Sequence, residues 1–347
     1  MEVPKSGEIL IFFGYGRGMR FLILLALIAA GLVALADSIV TKPSRPATGA
    51  FTMTLHPLVL DSADPARTQA GDLHYLGGWE VKGRPKLFGG LSSLLIRPDG
   101  KIWALSDGGV MFEIPPTISS GFGYATVLKT AKPPKKWMPT PTDSESMVVD
   151  SQFQHLWVGY ELLQRICRYT TDLAQAGTCK DWPELQKWPE AESLESMTRL
   201  PDGRFLMISE GAQTGEGGRD ALLFEGDPVD PSTRPPVHLT YIPPTGYNPT
   251  DSVWIGDNQL LVLNRRATLY DGFTAIIELV DISALKAGVT LRGREIARLA
   301  PPLLSDNFEG MAVEQQDGQR ILWIVSDDNH LFLQRTLLLK FALPDHF

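Results

Sequence analysis

Residues 143–161, DSESMVVDSQFQHLWVGYE, run from an acidic, a small and an apolar residue (Glu145-Ser146-Met147) through a short apolar stretch and a turn at Asp150-Ser151. They end on a second apolar stretch closed by Glu161. The phrase returns as Ser92-Ser93-Leu94, Glu195-Ser196-Met197, Asp251-Ser252-Val253 and Glu309-Gly310-Met311. Each copy is followed by a turn: Pro98-Asp99-Gly100, Pro201-Asp202-Gly203, Gly256-Asp257-Asn258 and Gln316-Asp317-Gly318 beside the one quoted. Asp, Asn and Gly supply the positive φ angles that tight hairpins need. The second stretches read KIWALSD, HLWVGYE, RFLMISE, QLLVLNR and ILWIVSD, with the bulky and branched residues of buried strands; all but the fourth end in a carboxylate.

The copies recur at roughly fifty residues or a little more, the spacing of four-stranded propeller blades. Third strands are expected at 110–114, 165–170, 221–226, 275–282 and 336–343, and weaker fourth strands at, for example, 124–129 and 291–299. The last copy has room for only three strands, whereas Leu73 to Val81 precedes the first copy with no blade of its own. The reading is therefore all-β: a β-propeller with five countable four-stranded blades, closed by an N-terminal strand completing the last blade. A sixth blade using Phe51 to Leu60 stays open. No long stretch of helical periodicity follows Ala36.

Residues 1–36 read as an export signal or a membrane anchor. FLILLALIAAGLVALA at 21–36 follows Arg17 and Arg20 and ends in Ala34-Leu35-Ala36. Residues 37–71 read as linker and N-terminal segment, and 72–347 as a single propeller domain. A net charge of -8 argues against a nucleic-acid surface, since phosphate backbones need clustered Lys and Arg. Membrane contact is expected only through the first segment if it is retained, and the location is periplasmic or secreted. Cys167 and Cys179 flank a turn-like segment between two candidate strands, and form either a disulfide across a hairpin or two thiols.

With its DSESM, SLESM and NFEGM phrases and SD or SE strand ends, the chain resembles the phytase-like, esterase-like domain family from Leu73 to Leu343. The resemblance implies an exported bacterial propeller with hydrolytic activity on phosphate or carboxylic esters. Propeller phytases hold several calcium ions on Asp-rich runs, and no comparable run occurs here.

Equivalent residues of successive blades converge around a propeller axis, so Glu145, Glu195, Asp251 and Glu309 are expected to form a partial ring with Ser92 as its neutral member. Asp107, Glu161, Glu210 and Asp327 are expected nearby. Crowded carboxylates must bind a cation, pair with arginine or take up protons; capping of backbone N–H groups is the structural alternative. As metal ligands, Glu145, Glu195, Asp251 and Glu309 suit calcium, an oxygen-seeking ion of flexible geometry. Glu195 and Glu309 are the candidate catalytic residues. Asn264, Arg265 and Arg266 break the acidic pattern, and are candidates to bind an anionic substrate or to supply counter-charge to the ring. Asp306, Asn307 and His330 adjoin the last copy. GAQTGEGG at 211–218 is expected to be a mobile loop, and no G-x-S-x-G or H-E-x-x-H occurs.

The expected function is metal-assisted hydrolysis of a small anionic ester or phosphoester by a monomer. The alternatives are a non-catalytic periplasmic binding or scaffold propeller and a lactonase-like propeller enzyme.

Overall fold

A computed structural model describes residues 48–84, 88–115, 119–129, 143–331 and 334–347. The apolar segment at 21–36 lies outside them; among the described residues no helix is long and apolar enough to cross a membrane.

The first blade is an antiparallel meander of β4 (Leu91–Ile96), β5 (Ile102–Ser106), β6 (Val110–Ile114) and β7 (Gly121–Val127). The second is β8 (Ser144–Val149), β9 (His155–Tyr160), β10 (Arg165–Thr170) and β11 (Thr178–Asp181). The third is β12 (Ser196–Arg199), β13 (Phe205–Gln213), β14 (Arg219–Phe224) and β15 (Val237–Ile242). The fourth is β16 (Asn248–Gly256), β17 (Gln259–Thr268), β18 (Gly272–Asp281) and β19 (Thr290–Leu299). In the last blade β20 (Phe308–Gln316), β21 (Gln319–Ser326) and β22 (Leu337–Ala342) are completed by β3 (Leu73–Arg84), with Leu337 opposite Glu80 and Ala342 opposite His74. The expected N-terminal closing strand is thus present. Each innermost strand contacts the next, and β20 contacts β4, so the ring of sheets closes among the described residues.

The segment held open for a sixth blade is β1 (Gly49–Leu58), placed by sequence within linker and N-terminal segment. It pairs with β3 and with β7, joining the outer edges of the last and first blades. Outer strands β15 and β19 are joined likewise, in parallel. Both pairings cover edges that would otherwise offer unpaired backbone groups to another chain. Cys167 and Cys179 are register partners on β10 and β11 and form a disulfide.

Between consecutive blades lies a separate apolar cluster. Trp103, Leu105, Met147 and Val158 pack between the first and second. Trp157, Met197 and Phe205 pack between the second and third. Leu206, Leu223, Leu260 and Val262 follow. Leu261, Ile277, Phe308 and Ile324 join the fourth blade to the last, which meets the first through Leu94, Phe112, Trp323 and Leu338. Side chains alternate along a strand, so one strand feeds the clusters on both its faces; Leu260 and Leu261 show this directly. Burying such a side chain contributes about 1.5–3 kcal/mol, and this adhesion holds the innermost strands at the axis.

Candidate active site

The ring is made by a repeated local irregularity. At the start of the innermost strands the register skips one residue: Ser92 on β4, Glu145 on β8, Thr250 on β16 and Glu309 on β20. A bulged residue is unpaired and its side chain is re-aimed. Glu195 immediately precedes β12 at the matching position, because Ser196 pairs with Ile208 as Ser93 pairs with Leu105. The second strands deliver Asp107, Glu161, Glu210, Arg265 and Asp327 to the same end.

Register corrects the fourth member of the ring. The β16–β17 hairpin carries a second shift between Trp254 and Gly256, which offsets its sequence phrase by one. Thr250 therefore holds the ring place, and Asp251 stands where other blades have Ser93, Ser146, Ser196 and Gly310. Ser93 Oγ accepts the Met147 amide N–H at 3.1 Å; Asp251 Oδ2 accepts the Met311 amide N–H at 2.6 Å, while its Oδ1 accepts the amide of Ser252 at 2.7 Å. Asp251 fastens one innermost strand to the next. Burial pushes its carboxyl well above the usual range, and the two amide donors oppose that rise.

Asn264, Arg265 and Arg266 are separated by the alternation of β17. Arg265, whose side chain is 19% exposed, meets the ring: Nη2 donates to Glu210 Oε1 at 2.8 Å, and Nη1 donates to Asn307 Oδ1 at 2.7 Å and to Glu309 Oε1. Asn264 is fully buried on the other face and accepts the Tyr241 hydroxyl at 3.0 Å. Arg266 donates to Asp271 at 3.0 Å and lies 4.8 Å over the Tyr247 ring. The expected trio thus contributes one residue to the ring.

Glu145, Glu195 and Glu309 are buried; Glu195 feels the charges of Glu145, Glu210, Glu309 and Glu161, Glu145 those of Asp143, Glu161, Asp107 and Glu309, and Glu309 that of Glu210. Burial first, then like-charge neighbours, lifts Glu145 and Glu195 well above the ordinary carboxyl range. Burial likewise raises Glu161 to about 8, against the amide of Ser193, which its Oε1 accepts at 2.7 Å. Glu309 is raised to about 7 by burial against the attraction of Arg265. Its Oε2 is buried and, among the described residues, has no hydrogen-bond partner.

Asp143, which sequence reasoning missed, joins Glu145 and Glu161 in a group whose carboxylate oxygens lie within 4.8 Å of one another. All-carboxylate donors at that separation fit one hard divalent cation with oxygen bonds of about 2.3–2.6 Å. Two residues before each ring place, the backbone oxygens of Gly90, Asp143 and Asn307 accept the amide N–H of Asp107, Glu161 and Asp327 at 2.8 Å. Those positions therefore border the ring in every such blade.

The remaining expected residues have structural partners. Asp306 accepts the Asn307 amide at 3.0 Å and Arg335 Nε at 3.2 Å. The 211–218 segment continues β13 and closes through one 3₁₀ turn, with Arg219 Nε donating to the Glu210 carbonyl at 2.6 Å. Further along the innermost strands the axis is a channel of about 220 Å³ whose lining includes Leu95, Val149, Thr198, Val253 and Ala312.

The family model described as phytase-like, esterase-like activity of phytase matches residues 86–330, more than half of the chain. The chain belongs to this phytase-like family. No curated protein matches it. Three solved structures resemble this phytase-like chain at low identity. A protein described as a gluconolactonase shares 11% identity over 87% of this chain and 93% of its own, with a TM-score of 0.39. The WD40 β-propeller domain of Doa1 shares 11% over 74% and 94%, with a TM-score of 0.38. An oxidoreductase from Thermus thermophilus described as a glucose dehydrogenase shares 11% over 73% and 98%, with a TM-score of 0.37. These likenesses carry no functional weight; the propeller assignment of this phytase-like chain rests on its own strand topology and ring closure.

Proposed function

We propose that this chain is an exported, monomeric hydrolase of small anionic phosphate or carboxylic esters, with its reacting centre in the axial carboxylate ring. The observation that carries the reading is the asymmetry of that ring. One side, Glu210 and Glu309, is paired with Arg265, while Asp143, Glu145 and Glu161 converge on one another.

Asp143, Glu145 and Glu161 would hold a divalent cation, calcium by the nature of the donors, and Glu195 stands beside them. Such an ion supplies charge to polarise the ester and to acidify a bound water. The protein's own part is proton handling. Glu309 Oε2 is a buried acceptor with no hydrogen-bond partner among the described residues, and Arg265 fixes its carboxylate through the other oxygen. A base titrating near neutrality takes a proton from water most effectively at working pH. Asp251 holds the amides of Met311 and Ser252 as a strand fastener and is given no part in this step.

A binding or scaffold propeller is the competing reading, and Arg265 favours it to this extent: its guanidinium already satisfies three ring acceptors in the manner of a structural counter-charge. The readings separate in an assay of phosphate and carboxylic esters with calcium and with chelator. Hydrolysis that needs calcium and falls at least ~100-fold in Glu309→Gln supports the hydrolase. Equal background rates for wild type and the Glu195→Gln, Glu309→Gln double variant would remove it.

A further inference from the structure

We propose that His330, set beside Asp107 at the lip of the ring, donates the proton to the departing alcohol in the ester hydrolysis proposed above, on which this inference rests. His330 Nε2 lies 4.0 Å from Asp107 Oδ1, a charge contact longer than a hydrogen bond, and its side chain is 23% exposed, so the imidazole meets solvent beside a carboxylate whose Oδ1 also accepts the Gly108 amide N–H. Asp107 in turn lies close enough to Asp143 and Glu145 for each to feel its charge.

The placement is built by the surrounding backbone. His330 and Asn329 both adopt positive φ, at 52° and 45°. Asp328 Oδ1 accepts the amide N–H of His330 at 3.1 Å and of Gly90 at 3.0 Å, and Asp328 Oδ2 accepts the Thr336 hydroxyl at 3.1 Å. Asp327 Oδ1 accepts the Asn329 amide at 2.6 Å. The start of the first blade leaves the necessary space. A Cβ at Gly90, where φ is +62°, would fall 2.5 Å from Asp107 Oδ1 and 3.1 Å from His330 Nε2. A Cβ at Gly89 would fall 2.6 Å from Asp328 Oδ1. The neutral place in the ring, Ser92, thus follows a glycine pair that admits an imidazole against a carboxylate.

The step balances as follows. Water adds to the acyl carbon or phosphorus and gives its proton to Glu309. The bond to the alcohol oxygen breaks with its electron pair going to that oxygen, and the imidazolium N–H of His330 protonates it. Acid and alcohol leave, and the proton on Glu309 returns to His330 through solvent.

The test compares leaving groups in the full chain with calcium present. Ethyl and glycerol esters release a strongly basic alkoxide that needs a proton; 4-nitrophenyl acetate and phosphate do not. His330→Gln is expected to lower kcat about 10²- to 10⁴-fold on the alkyl esters and only a few-fold on the nitrophenyl esters, with partial rescue by added imidazole. Equal losses on both classes, or none, overturn the assignment while leaving the hydrolase reading intact. If wild type hydrolyses neither class, the hydrolase reading fails and this inference falls with it. A second readout does not depend on turnover. At fixed pH, Asp107→Asn is expected to move the His330 ring resonances in NMR spectra, and unchanged resonances would show that the two side chains do not face each other.

Discussion

Asp251 Oδ2 accepts the backbone N–H of Met311 at 2.6 Å, across 60 positions of chain and the boundary between the fourth and last blades. The contact gives an acidic residue of the repeat a mechanical role, and it separates two kinds of carboxylate that the sequence presents alike. Asp251→Ala takes the side-chain acceptor from the buried amides of Met311 and Ser252, and each stranded donor costs about 1–3 kcal/mol; Asp251→Asn keeps an acceptor and is expected to cost less. Denaturant unfolding measures both. Calcium affinity is expected to stay within a few-fold of wild type in either variant.

Arg265 is the counter-charge for two buried carboxylates on different blades, and removing it leaves Glu210 and Glu309 facing each other. Breaking a buried ion pair from one side costs about 3–5 kcal/mol, so Arg265→Met is expected to unfold at much lower denaturant near neutral pH. Part of that loss is expected to return at pH 5, where Glu309 carries a proton. Unfolding curves at the two pH values test this.

Burial holds Asp107, Glu309 and Glu161 at about 6, 7 and 8, above ordinary values of 3.8 for Asp and 4.5 for Glu. A raised folded-state pKa means that the native protein holds these protons more tightly than the unfolded chain does. The stabilisation is therefore complete below the ordinary values and is lost as pH rises through 6, 7 and 8. In chelator, Tm is expected to fall from pH 5 to pH 8. Calcium bound by Asp143, Glu145 and Glu161 would displace the proton of Glu161, so the Tm gain from calcium is expected to grow over the same interval. Calorimetric scans with and without the ion report both trends.

The Cys167–Cys179 disulfide spans 12 positions at the outer edge of the second blade. Closing so short a loop is worth about 3 kcal/mol in the chain-entropy model. The Cys167→Ser, Cys179→Ser variant is expected to lose about that stability while keeping its affinity for calcium, since neither sulfur approaches the ring.

The blades were legible because their cause is local: an acidic phrase, an apolar run, a Gly or Asp turn and a second apolar run recur in each. Closure by β3 followed from a strand count. The place of Asp251 was not legible, since the extra residue that shifts it lies in the hairpin beyond, between Trp254 and Gly256. Nor was the division among Asn264, Arg265 and Arg266, which depends on which face of β17 looks inward. Asp143 stood in the quoted phrase, but its importance comes from pairing geometry across to Glu161.

The central claim is that Asp143, Glu145 and Glu161 form a cation site at the propeller axis. Titration calorimetry of calcium into the chelator-treated full chain near pH 7.5, beside the Glu145→Gln variant, tests it most directly. Saturable binding by wild type and at least tenfold weaker binding by the variant is the predicted result. Absence of binding in wild type, or equal affinity in both proteins, would contradict it.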